Sequence, residues 1–286
     1  MRYESRASRI SFVRRPRSRQ TIDAVERGDF ITFCECRVVK DGIDEVIDLA
    51  LERHDGLPYM NKFCGPFSNH LRQLAKPIWD KQFTHPFVVA LGKGTLPERK
   101  FKYYILQDAR FLGDLARVFS AGAMRAPDPE SALRFTKLAE ETIVVERSLH
   151  EGYGSRWKMS FKQMAAVPMA PTNYAYTRHM LAVAHTGSAA EITVVALPCA
   201  WIYCVIGEHL LKQGPPRHNH PYRDWLMLYA SPEFAEVQRW MREKVDQWAK
   251  TAGKEEKRRM EESFVISSRY EWMFWEMAWK EETWPV

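Results

Sequence analysis

The stretch VVALPCAWIYCVIGEHLL, residues 194–211, reads as one apolar helix that carries Pro198 at its centre and Cys199 directly after it. Proline inside a helix removes one backbone hydrogen bond and crowds the preceding turn, at a cost of roughly 3 kcal/mol or more. The resulting kink leaves the carbonyl of Val194 without its usual partner and can direct Cys199 into a cavity. A buried structural thiol is the alternative interpretation, because free cysteine is among the most buried residue types.

Almost everything else from about residue 68 onward also has helical periodicity. Thr95 and Glu98 form the pattern of a capping box at the start of a long helix. On that helix the apolar stripe includes Phe111, whereas Asp114 is assigned to the face in contact with water. Further helices are predicted at 129–150, 172–187, 189–212, 220–229, 232–250 and 254–280. The predicted architecture is therefore an all-α bundle.

The composition limits the classes of protein to which this chain can belong. A length of 286 residues with 45% hydrophobic residues predicts a globular protein. No charge-free apolar run is long enough to span a membrane, and the amino terminus lacks the apolar stretch of a secretory signal. The net charge of +6 produces no basic stripe interleaved with aromatic residues, which disfavours nucleic-acid binding. Five cysteines at irregular spacings do not resemble a disulfide framework, so the cytoplasm is the predicted compartment.

The first 59 residues differ in composition from the rest of the chain. Residues 1–20 contain seven arginines and one acidic residue, whereas residues 21–59 contain four basic and ten acidic residues. Transit peptides, disordered arms and mistranslated upstream sequence all share the composition of the opening segment. We therefore predict an N-terminal extension, disordered or not native, over residues 1–59 and a helical catalytic domain over residues 60–286. Met60 is a candidate for the natural start.

Two carboxylates fall on apolar helix faces. Asp108 lies on the apolar side of the long helix, and Glu271 shares the inner face of the last helix with Phe274 and Trp275. A buried, unpaired carboxylate tends to keep its proton, which suits a general acid. A carboxylate satisfied by tyrosines or an arginine for structural reasons fits the same pattern.

Cys199 and Tyr203 are four residues apart, so the phenol lies one turn from the thiol on the same helix face. With the two inward carboxylates and the tyrosines of PTNYAYTRHM and YRDWLMLYASPEF, they make a polar cavity with aromatic walls plausible. Such a cavity, enclosed by a helix bundle, suits a flat heterocycle.

Five segments resemble the TenA family, also called thiaminase II, which has a haem-oxygenase-like helical fold. They are FTHPFVVALGKGTLPERKFKYYILQD (83–108), PTNYAYTRHM (171–180), ALPCAWIYCVIGEHLL (196–211), HPYRDWLMLYASPEF (220–234) and FVISSRYEWMFWEMAW (264–279). The resemblance covers essentially residues 60–286. It implies a homotetrameric hydrolase of aminopyrimidines derived from thiamine, with thiamine itself as another possible substrate and no metal or organic cofactor.

The resemblance also implies roles for individual residues. Cys199 in PCxWxY matches the family nucleophile, and Glu271 in SSxYE matches the proton donor. Asp108 matches the carboxylate that holds the amino and ring-nitrogen edge of the pyrimidine. The residues that match tyrosines lining the substrate site are Tyr176, Tyr203 and Tyr229. Phe111 departs from the pattern, because many members have a tyrosine at this position, near the thiol; the missing hydroxyl bears on catalytic efficiency more than on reaction type.

Two other functions remain open from the sequence. Metal-dependent oxidases of the same fold use inward Glu, Asp and His, and EETIVVERSLHEG offers Glu140, Glu141, Glu146 and His150. Glu146 and His150 are four residues apart and can meet at a metal ion. A non-catalytic pyrimidine-binding or regulatory protein would need Asp108 and the aromatic walls but not Cys199. The presence of both the thiol and an inward Glu271 favours catalysis.

Overall fold

In the computed structural model of the protein, residues 65–286 are described, and within this range the regular structure is entirely α-helical. The helices are α1 (Pro66–Leu74), α2 (Lys76–Gln82), α3 (Pro86–Gly92), α4 (Glu98–Arg125), α5 (Pro129–Arg156), α6 (Phe161–Ala165), α7 (Pro171–Thr186), α8 (Ala189–Lys212), α9 (Arg223–Tyr229), α10 (Pro232–Ala249) and α11 (Lys254–Lys280). The predicted all-α architecture is confirmed. The predicted boundary between residues 59 and 60 lies outside the described residues and stays a prediction.

Helix α8 forms the centre of the bundle and packs against α4, α7, α10 and α11 as well as the short α9. It begins where the sequence predicts, because the Ser188 hydroxyl accepts from the Glu191 amide while the Glu191 carboxylate accepts from the Ser188 amide. Among the described helices α8 is long and apolar enough to cross a membrane by length and composition, yet 94% of its most apolar window is buried inside the fold. Its apolar surface is therefore taken up by the protein's own core.

Two local predictions on α4 are wrong. The helix begins at Glu98 with Pro97 in the capping position, and the expected capping box is not formed. Thr95 instead ends the turn after α3, where its amide donates to the carbonyl of Ala90 at 2.9 Å. Asp114, predicted on the face in contact with water, is instead buried because α7 covers that side of α4. Its carboxylate forms ion pairs with Arg117 and Arg178. The two guanidinium groups satisfy its charge.

Candidate active site

The structure brings the seven predicted site residues together from five helices. They are Asp108 and Phe111 on α4, Tyr176 on α7, Cys199 and Tyr203 on α8, Tyr229 on α9, and Glu271 on α11. All are buried except Cys199, which is partly exposed. Contacts and electrostatic interactions between their side chains connect them into one cluster, which is called the site below.

Glu271 forms the most direct contact within the site. The phenol of Tyr176 donates to Glu271 Oε1 over 2.6 Å, and both side chains are almost fully buried. Burial raises the pKa of Glu271 to about 8, opposed by the Tyr176 hydrogen bond and reinforced by the negative charge of Asp108. At neutral pH Glu271 therefore holds a proton, as the pattern of an inward carboxylate predicted.

Tyr176 also places the thiol in this cluster. Burial raises the pKa of Tyr176 well above its ordinary value, and the charges of Glu271 and Cys199 add to the effect. Such an interaction requires Cys199 to lie close to the Tyr176 phenol, although the two residues are on different helices. The nucleophile candidate and the proton-donor candidate thus both act on Tyr176, the first through its charge and the second through a hydrogen bond.

The two cysteines of α8 have different surroundings. Pro198 lies inside the helix, and Cys199 follows it on the side that faces Tyr176. Cys204 is buried, and desolvation together with Glu208 raises the pKa of its thiol, whose sulphur lies 3.6 Å from Glu208 Oε1. A thiol kept protonated in this way is a poor nucleophile. Cys204 is therefore a matched internal reference for Cys199.

Tyr203 belongs to a buried aromatic cluster that forms part of the site. Its ring centroid lies 4.8 Å from that of Tyr229 and 4.9 Å from that of Trp275. Burial raises its pKa, and the neighbouring Tyr104, Glu271 and Asp108 contribute to the rise. The phenol of Tyr203 therefore remains a neutral hydrogen-bonding group beside the two carboxylates.

Glycine allows Tyr229 to reach this cluster. A Cβ atom at Gly207 on α8 would lie 2.7 Å from the backbone carbon of Tyr229 and 2.8 Å from the amide nitrogen of Ala230. Backbone atoms cannot move aside as a flexible side chain can, so α9 approaches α8 this closely only because residue 207 has no side chain.

Two hydrogen bonds support Tyr203 from neighbouring helices. The indole N–H of Trp225 donates to the Tyr104 hydroxyl over 3.2 Å, and that hydroxyl donates to Tyr203 over 3.3 Å. Because indole is a donor only, the Tyr104 oxygen accepts in the first of these bonds. The two bonds connect the phenol of Tyr203 on α8 with α4 and α9.

Gln107, the residue before Asp108, aligns α4 with α7. Its side-chain oxygen accepts from the amide of Ala170, its amide group donates to the Pro168 carbonyl over 3.0 Å, and its backbone carbonyl accepts from Asn173. These bonds hold the first turn of α7 against the turn of α4 that carries Asp108. One residue of the Gln-Asp pair therefore positions a helix while the other faces the site.

Phe111 lines the site between two aromatic rings. Its centroid lies 5.1 Å from that of Tyr176 and 5.8 Å from that of Phe274. The ring is buried, so it contributes apolar surface one turn beyond Asp108.

The metal-binding alternative depends on residues whose side chains lie largely outside the description. The side chains of residues 145–151, which include Glu146 and His150, lie outside the described part of the structure. Among the described residues, no group of three or more His, Cys, Asp and Glu side chains is arranged to hold a metal ion. Glu141 forms an ion pair with Arg134.

Sequence reasoning missed several residues of the site. Tyr104 and Trp225 were not assigned roles, although Tyr104 lies one turn before Asp108 on the same stripe. Ser267 was placed on the inner face of α11 but given no role, and its hydroxyl lies one turn from Glu271. A small polar residue on an otherwise apolar face is the signal that could have identified Ser267.

Comparison with known proteins assigns the family. The family model described as TENA/THI-4/PQQC matches residues 72–281, which is most of the chain and includes every residue of the site. This chain belongs to the TENA/THI-4/PQQC family. An aminopyrimidine aminohydrolase from Halalkalibacterium halodurans is 39% identical over 219 residues, covering 76% of this chain and 97% of that enzyme.

Solved structures of other proteins have the same architecture. A TenA homologue from P. horikoshii OT3 aligns with a TM-score of 0.67 and 32% identity, covering 75% of this chain and 98% of that one. A domain from Shewanella denitrificans described as having a heme oxygenase-like fold aligns with a TM-score of 0.59 at 13% identity, covering 74% of this chain and 92% of that domain. The bundle is therefore of the haem-oxygenase-like type.

Proposed function

We propose that this chain hydrolyses 4-amino-5-aminomethyl-2-methylpyrimidine to the hydroxymethyl pyrimidine and ammonia, by cysteine nucleophilic catalysis in thiamine salvage. The observation that carries the proposal is a carboxylic acid with a pKa of about 8, Glu271, in one cluster with a partly exposed thiol and a second carboxylate. The similarity to enzymes named aminopyrimidine aminohydrolase supports this choice of substrate class.

The two carboxylates have different tasks in this proposal. Asp108 accepts hydrogen bonds from the amino group and protonated ring nitrogen of the pyrimidine, a charge-assisted interaction that orients the ring. Glu271, which is protonated at neutral pH, gives its proton to the ring, takes up the proton that the Cys199 thiol releases, and then passes that proton to the leaving amine. The phenols of Tyr176, Tyr203 and Tyr229 with the ring of Phe111 form the walls against which a flat heterocycle packs.

The reaction proceeds through a covalent adduct. The sulphur of Cys199 forms a bond to a ring carbon while the ring gains the proton of Glu271, and the thiol proton passes to Glu271 in its place. The exocyclic carbon–nitrogen bond then breaks, and the departing amine takes the proton from Glu271 to leave as ammonia. Water adds its hydroxyl group to the exocyclic methylene that remains and gives its other proton to Glu271. The carbon–sulphur bond finally breaks and the ring proton returns to the sulphur, so the net change is hydrolysis of one carbon–nitrogen bond.

Thiamine is the second substrate to test, because its thiazole group occupies the position of the leaving amine. The same protonation and thiol addition would release the thiazole in place of ammonia. Ammonia release from the aminomethyl pyrimidine, measured in parallel with thiamine consumption, compares the two reactions directly. Binding of the pyrimidine without turnover of either compound would support a regulatory protein instead.

Cys199→Ala tests the nucleophile. We expect turnover to be abolished and pyrimidine binding, measured by calorimetry, to be nearly unchanged, because the thiol makes the covalent bond while Asp108 holds the ring. Cys204→Ala is the matched control on the same helix, and we expect it to keep its rate because that thiol faces Glu208. Undiminished turnover by Cys199→Ala would reject the assignment.

We also propose that the active form is a homotetramer in the cytoplasm. Helix α5 exposes the apolar side chains of Leu133, Ile143 and Val144, which a neighbouring subunit can cover. A nucleophilic thiol remains reduced in the cytoplasm. Light scattering of the purified protein measures the oligomeric state, and a monomer at micromolar concentration would contradict the proposal.

A further inference from the structure

Ser267 connects the proton donor of the site with the turn that carries the nucleophile. Its side chain is fully buried on α11, one turn before Glu271. The hydroxyl donates to the carbonyl of Val195 on α8 over 2.8 Å, and it lies within reach of the Tyr176 phenol, whose pKa it lowers. In an uninterrupted helix the Val195 carbonyl accepts from the amide of Cys199, four residues along.

The hydroxyl protons of Tyr176 and Ser267 point in different directions when Glu271 is ionised and when it is neutral. When Glu271 is ionised, Tyr176 donates to its carboxylate, and the Tyr176 oxygen can accept a proton from Ser267. When Glu271 is neutral, its hydroxyl can donate to Tyr176, Tyr176 to Ser267, and Ser267 to Val195. Glu271 loses one proton between the two states, while Tyr176 and Ser267 keep theirs and rotate.

We propose that Ser267 is a positioning residue whose hydroxyl turns from the Val195 carbonyl to the Tyr176 oxygen when Glu271 gives up its proton. Ser267 thereby stabilises the ionised acid through Tyr176. The inference builds on the proposed role of Glu271 as proton donor.

The surroundings of Glu271 contain other groups that act on its titration. The titratable side chains facing it or its immediate neighbours are Asp108 and Tyr104 on α4, Tyr176 on α7, Cys199 and Tyr203 on α8, and Tyr229 on α9. Burial raises the pKa of Tyr176 and of Tyr203, so both phenols stay neutral. Asp108 opposes ionisation of Glu271, whereas the Ser267–Tyr176 pair favours it. Removal of the Ser267 hydroxyl should therefore raise the pH at which Glu271 ionises.

Ser267→Ala tests the proposal through the titration of Glu271. The infrared carbonyl stretch of protonated Glu271 is identified as the band that is absent in Glu271→Gln. This band disappears as the acid ionises, so its pH dependence gives the titration midpoint without an enzymatic assay. We expect the midpoint of the Glu271 titration to rise by about half a pH unit to one unit. The variant loses the Ser267–Tyr176 hydrogen bond, which stabilises the ionised form of Glu271 more than the neutral form. The alkaline limb of kcat/KM should move upward by the same amount, with little change in KM.

Ser268→Ala is the matched control. Ser268 is as buried as Ser267 and adjacent on α11, but its hydroxyl accepts from the indole of Trp79 over 3.0 Å, away from the site. We expect a lower melting temperature and an unchanged Glu271 midpoint. If Ser267→Ala does not fold, Ser267→Cys carries the same expectation with a smaller shift, because a thiol is a weaker donor.

Two results would overturn the proposal: an unchanged midpoint in the Ser267 variant, or an equal shift in Ser268→Ala. Failure of the proposed function has a different signature, because the protein would then release no ammonia whatever the infrared titration shows.

Discussion

The Tyr176 hydroxyl and the Glu271 carboxyl lie 2.6 Å apart, yet the acid keeps its proton at neutral pH. A phenol that donates to a carboxylate favours the ionised form, and this bond does lower the pKa of Glu271. Desolvation on a fully buried side chain outweighs it, and the charge of Asp108 acts in the same direction as desolvation. The balance leaves Glu271 as a neutral acid with a pKa of about 8 in the same site as the thiol.

The raised pKa of Glu271 predicts that the protein loses stability as the pH rises. In the unfolded chain the carboxyl ionises near 4.5, whereas in the folded protein it does so near 8. Between these values the folded state binds more protons, so the free energy of unfolding decreases by up to roughly 1.4 kcal/mol per pH unit. Glu271→Gln should flatten this dependence, as measured by denaturant unfolding across the range.

Glu191→Gln is the control for that measurement. Burial raises the pKa of Glu191, but the ion pair with Arg259 and the hydrogen bonds with Ser188 lower it more, so the pKa lies below its ordinary value. The ionised carboxylate therefore stabilises the fold at pH values above that ordinary pKa. We expect the variant to lose stability at neutral pH while keeping the wild-type slope above pH 5. A slope that is the same in wild type and Glu271→Gln would contradict the assignment of the proton to Glu271.

Asp108→Asn should weaken binding of the pyrimidine. A neutral amide replaces a charge-assisted hydrogen bond of ~1.5–3 kcal/mol with a weaker one, so we expect the dissociation constant to rise about tenfold. Loss of the charge should also lower the Glu271 titration midpoint, since Asp108 raises it. Calorimetry and the infrared titration measure the two effects.

Asp114→Asn provides the comparison for Asp108→Asn. Both carboxylates are 5% exposed and lie on α4, but Asp114 is paired with Arg117 and Arg178 rather than facing the site. Its loss should reduce the melting temperature and leave pyrimidine affinity unchanged. Equal losses of affinity in both variants would show that Asp108 acts through the fold.

Phe111→Tyr should raise the rate near neutral pH. The ring packs against Tyr176, whose phenol interacts electrostatically with Cys199, so we expect a new hydroxyl to reach the thiolate and stabilise it. A gain of ~1.4 kcal/mol would increase kcat/KM about tenfold. A pH profile of kcat/KM that matches wild type, with no gain in rate, would show that position 111 does not communicate with the thiol.

Removal of residues 1–59 should leave a folded, active protein. The family match begins at residue 72, and the aminopyrimidine aminohydrolase from H. halodurans aligns over 97% of its length with 76% of this chain. Ammonia release and circular dichroism of the truncated protein measure activity and fold. An insoluble or inactive truncation would place part of residues 1–59 in the core or in a subunit interface.

The sequence alone determined the all-α architecture and the inner faces of the helices that carry the two carboxylates. The bounds of α8 and α11 follow from periodicity, and the same periodicity placed Asp108 and Glu271 on inner faces. This succeeds because a helix repeats every 3.6 residues, so a local pattern records the direction of the core.

Only the tertiary structure decided which inward groups meet and what charge they carry. Tyr176 and Glu271 are 95 residues apart, and the proton on Glu271 depends on burial and on a carboxylate from another helix. Asp114 is likewise buried by a helix that its own periodicity does not reveal. Distances between helices and the desolvation of a group arise from packing, so no local pattern along the chain encodes them.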